Sequence, residues 1–148
     1  MINFEVKVLN GNAAKKHVDP FYKINYKSHE ARPSDTFFTA FNENQCIGTV
    51  RYCVEENTPL LRSMLIEEKL RGQGIGKILL EEFQSYLINR NIETTFCIAY
   101  THLDYFYGHI GFKKIEPADA PEFLYKRYLS YLQDYPENSY IMMRRKGR

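Results

Sequence analysis

Cysteine is scarce in this chain, and the three present (Cys46, Cys53 and Cys97) form an odd set without a CxxC. Neither they nor His17, His29, His102 and His109 take a zinc-type spacing, so no metal centre is expected. All three thiols sit in apolar stretches, where cysteine acts as a small hydrophobe, a usage that fits a reducing cytosol. Long apolar runs are missing too: none approaches the roughly 18 residues of a membrane span. Glu5 and Lys7 put charges where a secretory leader needs apolar residues. The expectation is a soluble, cytoplasmic protein with no membrane partner. Nor is there a surplus of one charge, since 20 basic residues face 18 acidic ones for a net charge of +2. Four of the basic residues fall in the last five positions, 144–148, leaving 16 against 18 elsewhere. A near-neutral body argues against a groove for nucleic acid, and the basic tail reads as a solvated end. With 148 residues and 44% apolar content, one domain spanning 1–148 is expected rather than disorder or several domains.

Periodicity organises what is there. Phe4, Val6 and Val8 alternate with Asn3, Glu5 and Lys7, which predicts a strand. An Asn-Gly-Asn break follows, and Asn12 is placed to cap a helix from Ala13. Residues 19–35, bounded by Pro20 and Pro33 and holding Phe21, Tyr22 and Tyr26, read equally as helix or irregular loop. Strands are predicted over 36–41 and 46–55 around a turn at 42–45, with Cys46, Gly48, Val50, Tyr52 and Val54 sharing one face. Another turn at 56–59 leads to a strand over 60–66. Ile75, Ile78, Leu79, Phe83, Tyr86 and Leu87 then recur at helical spacing, with Lys77, Glu81, Gln84 and Arg90 mostly away from them. A strand at 94–100 precedes Thr101-His102-Leu103-Asp104, which has the form of a capping box, and a short helix stopped by Gly111. Residues 112–115 and 139–144 read as strands and 120–135 as a helix. The order implies an α/β fold built on a mixed, mostly antiparallel, splayed sheet of about seven strands flanked by helices.

The chemistry concentrates in Arg71-Gly72-Gln73-Gly74-Ile75-Gly76-Lys77, between a strand and the long amphipathic helix. A plain turn explains one glycine there but three poorly, whereas close backbone approach to an anion at a helix start uses all of them. A nucleotide P-loop needs GxxxxGK followed by Ser or Thr. Here Arg71 stands at the first glycine and Ile78 at the hydroxyl position, so that motif fails. A GxGxxG fingerprint fails as well, because its third glycine would be Lys77 or Leu79. What remains is R-x-x-G-x-G after a strand ending Met64-Leu65-Ile66. Together with Phe106-Tyr107-Gly108-His109-Ile110-Gly111-Phe112, this segment resembles the GNAT superfamily of acetyl-CoA-dependent N-acetyltransferases. The likeness runs from Leu60 to Ile115, and Gly48 sits where a common family glycine does.

The resemblance implies a GNAT-like sheet whose strands 60–66 and 94–100 splay to admit the pantetheine arm of acetyl-CoA. Backbone groups of Met64, Leu65 and Ile66 would pair with that arm, and Arg71, Gly72, Gln73, Gly74, Ile75, Gly76 and Lys77 would hold the pyrophosphate. Tyr107 would be the general acid toward the departing thiolate. An asparagine frequent in the family is replaced by Tyr100, which removes one expected pantetheine contact. No base is assigned: strand 60–66 offers only Arg62, and Glu55, Glu56, Glu67 and Glu68 read as solvated charges. Tyr125, Tyr128, Tyr131 and Tyr135 form a stripe that either packs or lids an acceptor cleft, on an insertion that typical members lack. Arg51 and Arg62 are candidates to pair with an acceptor carboxylate, while His102 and His109 read as surface or capping residues. The implied activity is direct acetyl transfer to the primary amine of a small metabolite, with no metal. The alternatives are acetylation of a protein N-terminus or lysine, and a noncatalytic acyl-CoA-binding regulatory module. A homodimer is admitted by analogy alone.

Overall fold

The computed structural model describes residues 2–25 and 29–147. Strand β1 (Glu5–Asn10) leads into helix α1 (Gly11–Ile24), then β2 (Thr36–Asn42), β3 (Gln45–Glu55) and β4 (Thr58–Ile66). Helix α2 (Ile75–Asn89), β5 (Thr94–Tyr100), α3 (Asp104–Gly108), β6 (Phe112–Ile115), α4 (Glu122–Asp134) and β7 (Tyr140–Lys146) complete the chain. The seven strands make one sheet in the order β1-β2-β3-β4-β5-β7-β6. Each neighbouring pair is antiparallel except β4 and β5, which run parallel and meet at a single registered pair, Leu60 with Phe96. Strand and helix order agree with the sequence expectation, and so does the splay.

Both faces of the sheet are covered. Phe37 and Phe38, adjacent on β2, point to opposite sides: Phe37 packs with Ala14, Val18, Phe21 and Tyr22 of α1, and Phe38 with Leu79 and Phe83 of α2. That double coverage explains why β2 is nearly continuous in apolar residues rather than alternating. Leu124 and Ala120 close a third cluster over Leu60, Phe96 and Met142, which seats α4 beside the β4–β5 gap. The two hairpins turn through residues with left-handed backbone, Glu43 (φ 48°) with Asn44 (φ 67°) and Glu56 (φ 47°) with Asn57 (φ 61°), as two-residue loops require. Among the described residues no helix is long and apolar enough to cross a membrane.

Several local readings are corrected. The cap of α1 is Asn10, whose side chain accepts from the Ala13 N–H at 2.9 Å, not Asn12. The helix then continues through Pro20 to Ile24, which makes 19–24 helical; Tyr26 lies outside the described residues. On β3 the register slips between Ala40 and Phe41, so that Ile47 is extra. This bulge puts Cys46 against the α1 cluster while Val50 and Tyr52 face α2, and a strict alternation cannot foresee it. Ile78 is 39% exposed and Leu80 is buried in its place. Counted from buried Phe83 at 100° per residue, position 78 lies about 140° round and position 80 about 60°. Thr101 does not cap α3; it sits in a 3₁₀ turn with its hydroxyl 2.7 Å from that of Ser139. The basic tail is not a solvated end either, because Arg144 to Lys146 belong to β7 and buried Arg145 donates to the Ile110 carbonyl at 2.8 Å.

A buried ion pair ties the loop before β2 to β3. Arg51 Nη1 donates to Asp35 Oδ2 at 3.1 Å and to the Glu30 carbonyl at 2.9 Å, and both side chains of the pair are buried. Removing one member strands the other charge in a poorly solvated site. Asp35→Ala is therefore expected to cost ~3–5 kcal/mol of unfolding free energy, read from urea denaturation. A loss under about 1 kcal/mol would mean that the arginine finds water or another partner.

Candidate active site

The site grows from an irregularity in β4. Thr49 pairs with Leu65 and Arg51 with Arg62, so β4 holds one residue more than β3 across this step. Ser63 absorbs it with φ 57°, a left-handed value that a non-glycine residue keeps only when its surroundings over-determine it. They do so here from two sides. The Tyr22 hydroxyl donates to the Ser63 carbonyl at 2.7 Å, and Arg51 Nη2 donates to Ser63 Oγ at 2.8 Å. The bulge bends β4 where it leaves β5, and a cavity of about 450 Å³ opens between the two strands. Nothing in the local sequence marks Ser63; the clamp comes from α1 and β3.

Of the residues expected to hold the cofactor arm, Met64 and Leu65 line this cavity together with Tyr107, Cys97, Ala99 and Tyr100. Ile66 and the 71–77 loop lie outside its lining, at the end where α2 begins. Gly72 (φ 83°) and Gly74 (φ 86°) are both left-handed, and a Cβ at either would meet nothing within 4 Å. The backbone conformation, rather than crowding from the protein, thus demands glycine, and the outer side of the loop is open. Gly74 is also the N-cap of α2, and no side chain caps that helix. Gly76 differs, since a Cβ there would approach the Phe106 ring to 2.9 Å; its role is to let α2 pack on α3. Ile75 is buried in the α2 core and Lys77 is exposed. Arg71 Nε donates to the Ile66 carbonyl at 3.1 Å, and Gln73 Oε1 accepts from the Ile2 N–H at 3.2 Å.

Tyr107 is 6% exposed, with its ring edge-on to Phe106 and Phe112 at centroid distances of 5.0 and 6.3 Å. Burial pushes its phenol above the ordinary tyrosine value, and the neighbouring Cys97 and Tyr100 add to the effect. Cys97 is raised by burial in the same way, so it stays a neutral thiol.

The far wall is built by the insertion between β6 and β7. Tyr131 of α4 and Tyr135 just after it line the cavity, whereas Tyr128 packs toward β7 with its hydroxyl donating to the Tyr140 carbonyl at 3.5 Å. Tyr131, Tyr140 and Tyr100 form a run of ring contacts at 5.3 and 5.2 Å, ending on His102. Three of the tyrosines read as one stripe in the sequence therefore divide between packing (Tyr128) and lining (Tyr131 and Tyr135). Beside them Arg62 from β4 and Arg127 from α4 also line the cavity. Arg51 does not, being committed to Asp35 and Ser63. Arg127 is a site residue that sequence reading missed, because its neighbours on β4 are far away in the chain. Glu55 binds Arg62 Nη1 at 2.7 Å, Arg127 Nη2 at 2.5 Å and Arg32 Nη2 at 3.3 Å. Its partial burial alone would raise its pKa, but pairing with Arg127 and Arg62 overrides this and lowers it to about 2. No carboxylate lines the cavity among the described residues. His109 is at the surface against Glu81, 3.1 Å away.

A sheet opened between two parallel strands, a glycine-led helix starting at one end of the opening and a buried tyrosine within it define an acyltransferase of the GNAT class. The model of the GNAT acetyltransferase domain matches residues 9–122, and the chain belongs to that family. Among curated proteins no sequence matches. Solved structures share the fold at low identity. Escherichia coli ElaA has 13% identity and a TM-score of 0.70, covering 97% of this chain and 100% of that one. A GNAT-family acetyltransferase from Staphylococcus aureus Mu50 has 17% identity and a TM-score of 0.63, covering 97% and 99%. N-acetylglutamate synthase from Neisseria gonorrhoeae, in complex with coenzyme A and N-acetyl-glutamate, has 14% identity and a TM-score of 0.65, covering 100% of this chain and 36% of that one.

Proposed function

We propose that this chain, as a single domain over 1–148, transfers the acetyl group of acetyl-CoA directly to the primary amine of a small metabolite. The observation that carries the reading is the adjacency of the open Gly72–Gly74 turn, the uncapped start of α2 and the β4–β5 cavity that ends at Tyr107. Backbone N–H groups around Gly74, with the positive end of the α2 dipole and the mobile charges of Arg71 and Lys77, suit the pyrophosphate. Met64, Leu65 and Ile66, on the side of β4 that parts from β5, offer main-chain groups to the pantetheine arm. The N-acetylglutamate synthase complex, whose ligands include coenzyme A and an acetylated amino acid, supports a small acceptor over a protein one.

In this reaction the amine nitrogen attacks the thioester carbonyl carbon, the C–S bond breaks, and the departing thiolate takes the proton of the Tyr107 phenol. The phenol is restored from solvent. The ammonium loses one proton to water before attack, and the nitrogen gives up a second to water as the amide forms. Both losses are consistent with the absence of a carboxylate from the described cavity lining and with a Glu55 already held ionised. Glu55, Glu56, Glu67 and Glu68 are assigned no catalytic part.

Thiol release from acetyl-CoA with a panel of free amines and lysine peptides tests the reading, followed across pH. An alkyl amine with a pKa around 10 is about 0.1% free at pH 7, so kcat/KM is expected to rise nearly tenfold per pH unit toward 9. Because burial raises the Tyr107 pKa, its acid form persists as pH rises, and no fall is expected below pH 10. Release with peptides alone would overturn the metabolite reading. A decline already between pH 8 and 9 would remove Tyr107 as the proton donor.

A further inference from the structure

We infer that the acceptor amine also carries a carboxylate, as an amino acid does, and that Arg62 and Arg127 select it. This deepens the acetyl-transfer reading and rests on it. The two side chains come from elements far apart in sequence, β4 and α4, yet both line the cavity and remain 25% and 24% exposed. Each binds a different oxygen of the same Glu55 carboxylate, at 2.7 and 2.5 Å. The bridge fixes the donating nitrogens within roughly 7 Å of each other before any ligand arrives, so little ordering is left for a ligand to bear.

One carboxylate does not saturate these cations. Glu55 also serves Arg32, and Asp35 is divided between Arg32 and Arg51. Four guanidinium groups thus share two carboxylates, a surplus of two positive charges beside the cavity. Arg127 Nη1 is moreover buried without a hydrogen-bond partner among the described residues. A planar anion is the ligand that matches a guanidinium fork, and a carboxylate is the smallest organic one. Arg62 and Arg127 are the only formally charged groups in the described lining, so a polyamine without an acid would meet repulsion instead. The Tyr131, Tyr140 and Tyr100 rings give the organic body of such an amine an apolar wall with polar tips.

The test compares acceptors that differ only in the acid, tyrosine with tyramine and leucine with 3-methylbutylamine. With kcat/KM expressed per unprotonated amine, because the α-carboxylate also lowers the amine pKa, the acid-bearing member should be preferred by ~10²-fold or more, as when a site built for a polar group meets an analogue lacking it. Arg127→Gln should collapse that ratio below about fivefold, and Arg127→Lys should restore part of it. Arg62 is examined in Arg62→Gln, which leaves Glu55 paired with Arg127 and Arg32 and should also collapse the ratio. Equal turnover of the two members of each pair, or an unchanged ratio in both variants, would overturn the inference while leaving acetyl transfer standing. Binding decides the matter without turnover. With saturating coenzyme A, N-acetyl-tyrosine should raise the melting temperature of the wild type, and N-acetyl-tyramine should not. Should no amine release thiol, this second measurement still upholds or refutes the carboxylate site, so the two failures are told apart.

Discussion

Tyr107→Phe is expected to lower kcat about a hundredfold and to leave acetyl-CoA affinity within threefold of the wild type. The substitution removes one oxygen and keeps the ring. That ring already packs edge-on against Phe106 and Phe112, so the fold should lose no more than about 1 kcal/mol. What disappears is the proton. Thiolate leaving groups have conjugate acids near 8.5 and an ordinary phenol sits near 10, a modest mismatch for transfer at the moment the C–S bond breaks. Burial lifts the Tyr107 phenol further, which keeps its acid form loaded at every physiological pH at the cost of a weaker driving force. Steady-state kinetics with a saturating amine, beside calorimetric titration with acetyl-CoA, separates the two effects. An unchanged turnover number would strike Tyr107 from the mechanism, and a matching loss of affinity would make it a binding residue.

Gly74→Glu should abolish measurable coenzyme A binding, a fall of more than 10²-fold, without unfolding the protein. At φ 86° any side chain strains the backbone, by about 1–3 kcal/mol. Yet a Cβ at this position meets no atom of the protein within 4 Å, so the strain is not compounded by a clash. Most of the expected effect on binding is electrostatic and steric. The new carboxylate stands at the N-cap of α2, where it satisfies the same N–H groups and dipole that a phosphate would use, and it repels the phosphate besides. Gly74→Ala carries the strain without the charge and should weaken binding far less. The same change at Gly76 would damage the packing of α2 on Phe106 instead, which makes it a poor probe of the anion site. Tight coenzyme binding by Gly74→Glu, with a normal melting temperature, would contradict the assignment of this loop.

The sequence and the structure part company at identifiable places. Hydrophobic period and turn chemistry are local, so the order of seven strands and four helices, the 94–100 and 112–115 strands and the left-handed stop at Gly111 could all be read directly. The bulges at Ile47 and Ser63 could not, because each depends on which partner strand lies alongside and in what register. Thr101 has the local form of a cap, but Ser139 from another part of the chain competes for its hydroxyl. Arg145 looks like part of a charged tail until β7 is placed between β5 and β6, where its stem is covered and its Nε donates to the Ile110 carbonyl.

The chain alone determined the family and the left-handed glycine turn before α2, since a glycine spacing and an aromatic-glycine motif are short patterns whose backbone demands are met within a few residues. The shape and charge of the cavity between β4 and β5 were decided only by tertiary structure. Arg62 and Arg127 stand 65 positions apart, and the Glu55 that binds both is on a third element. Folding brings such groups within hydrogen-bond reach, and no periodicity along the chain encodes which charges will share one carboxylate.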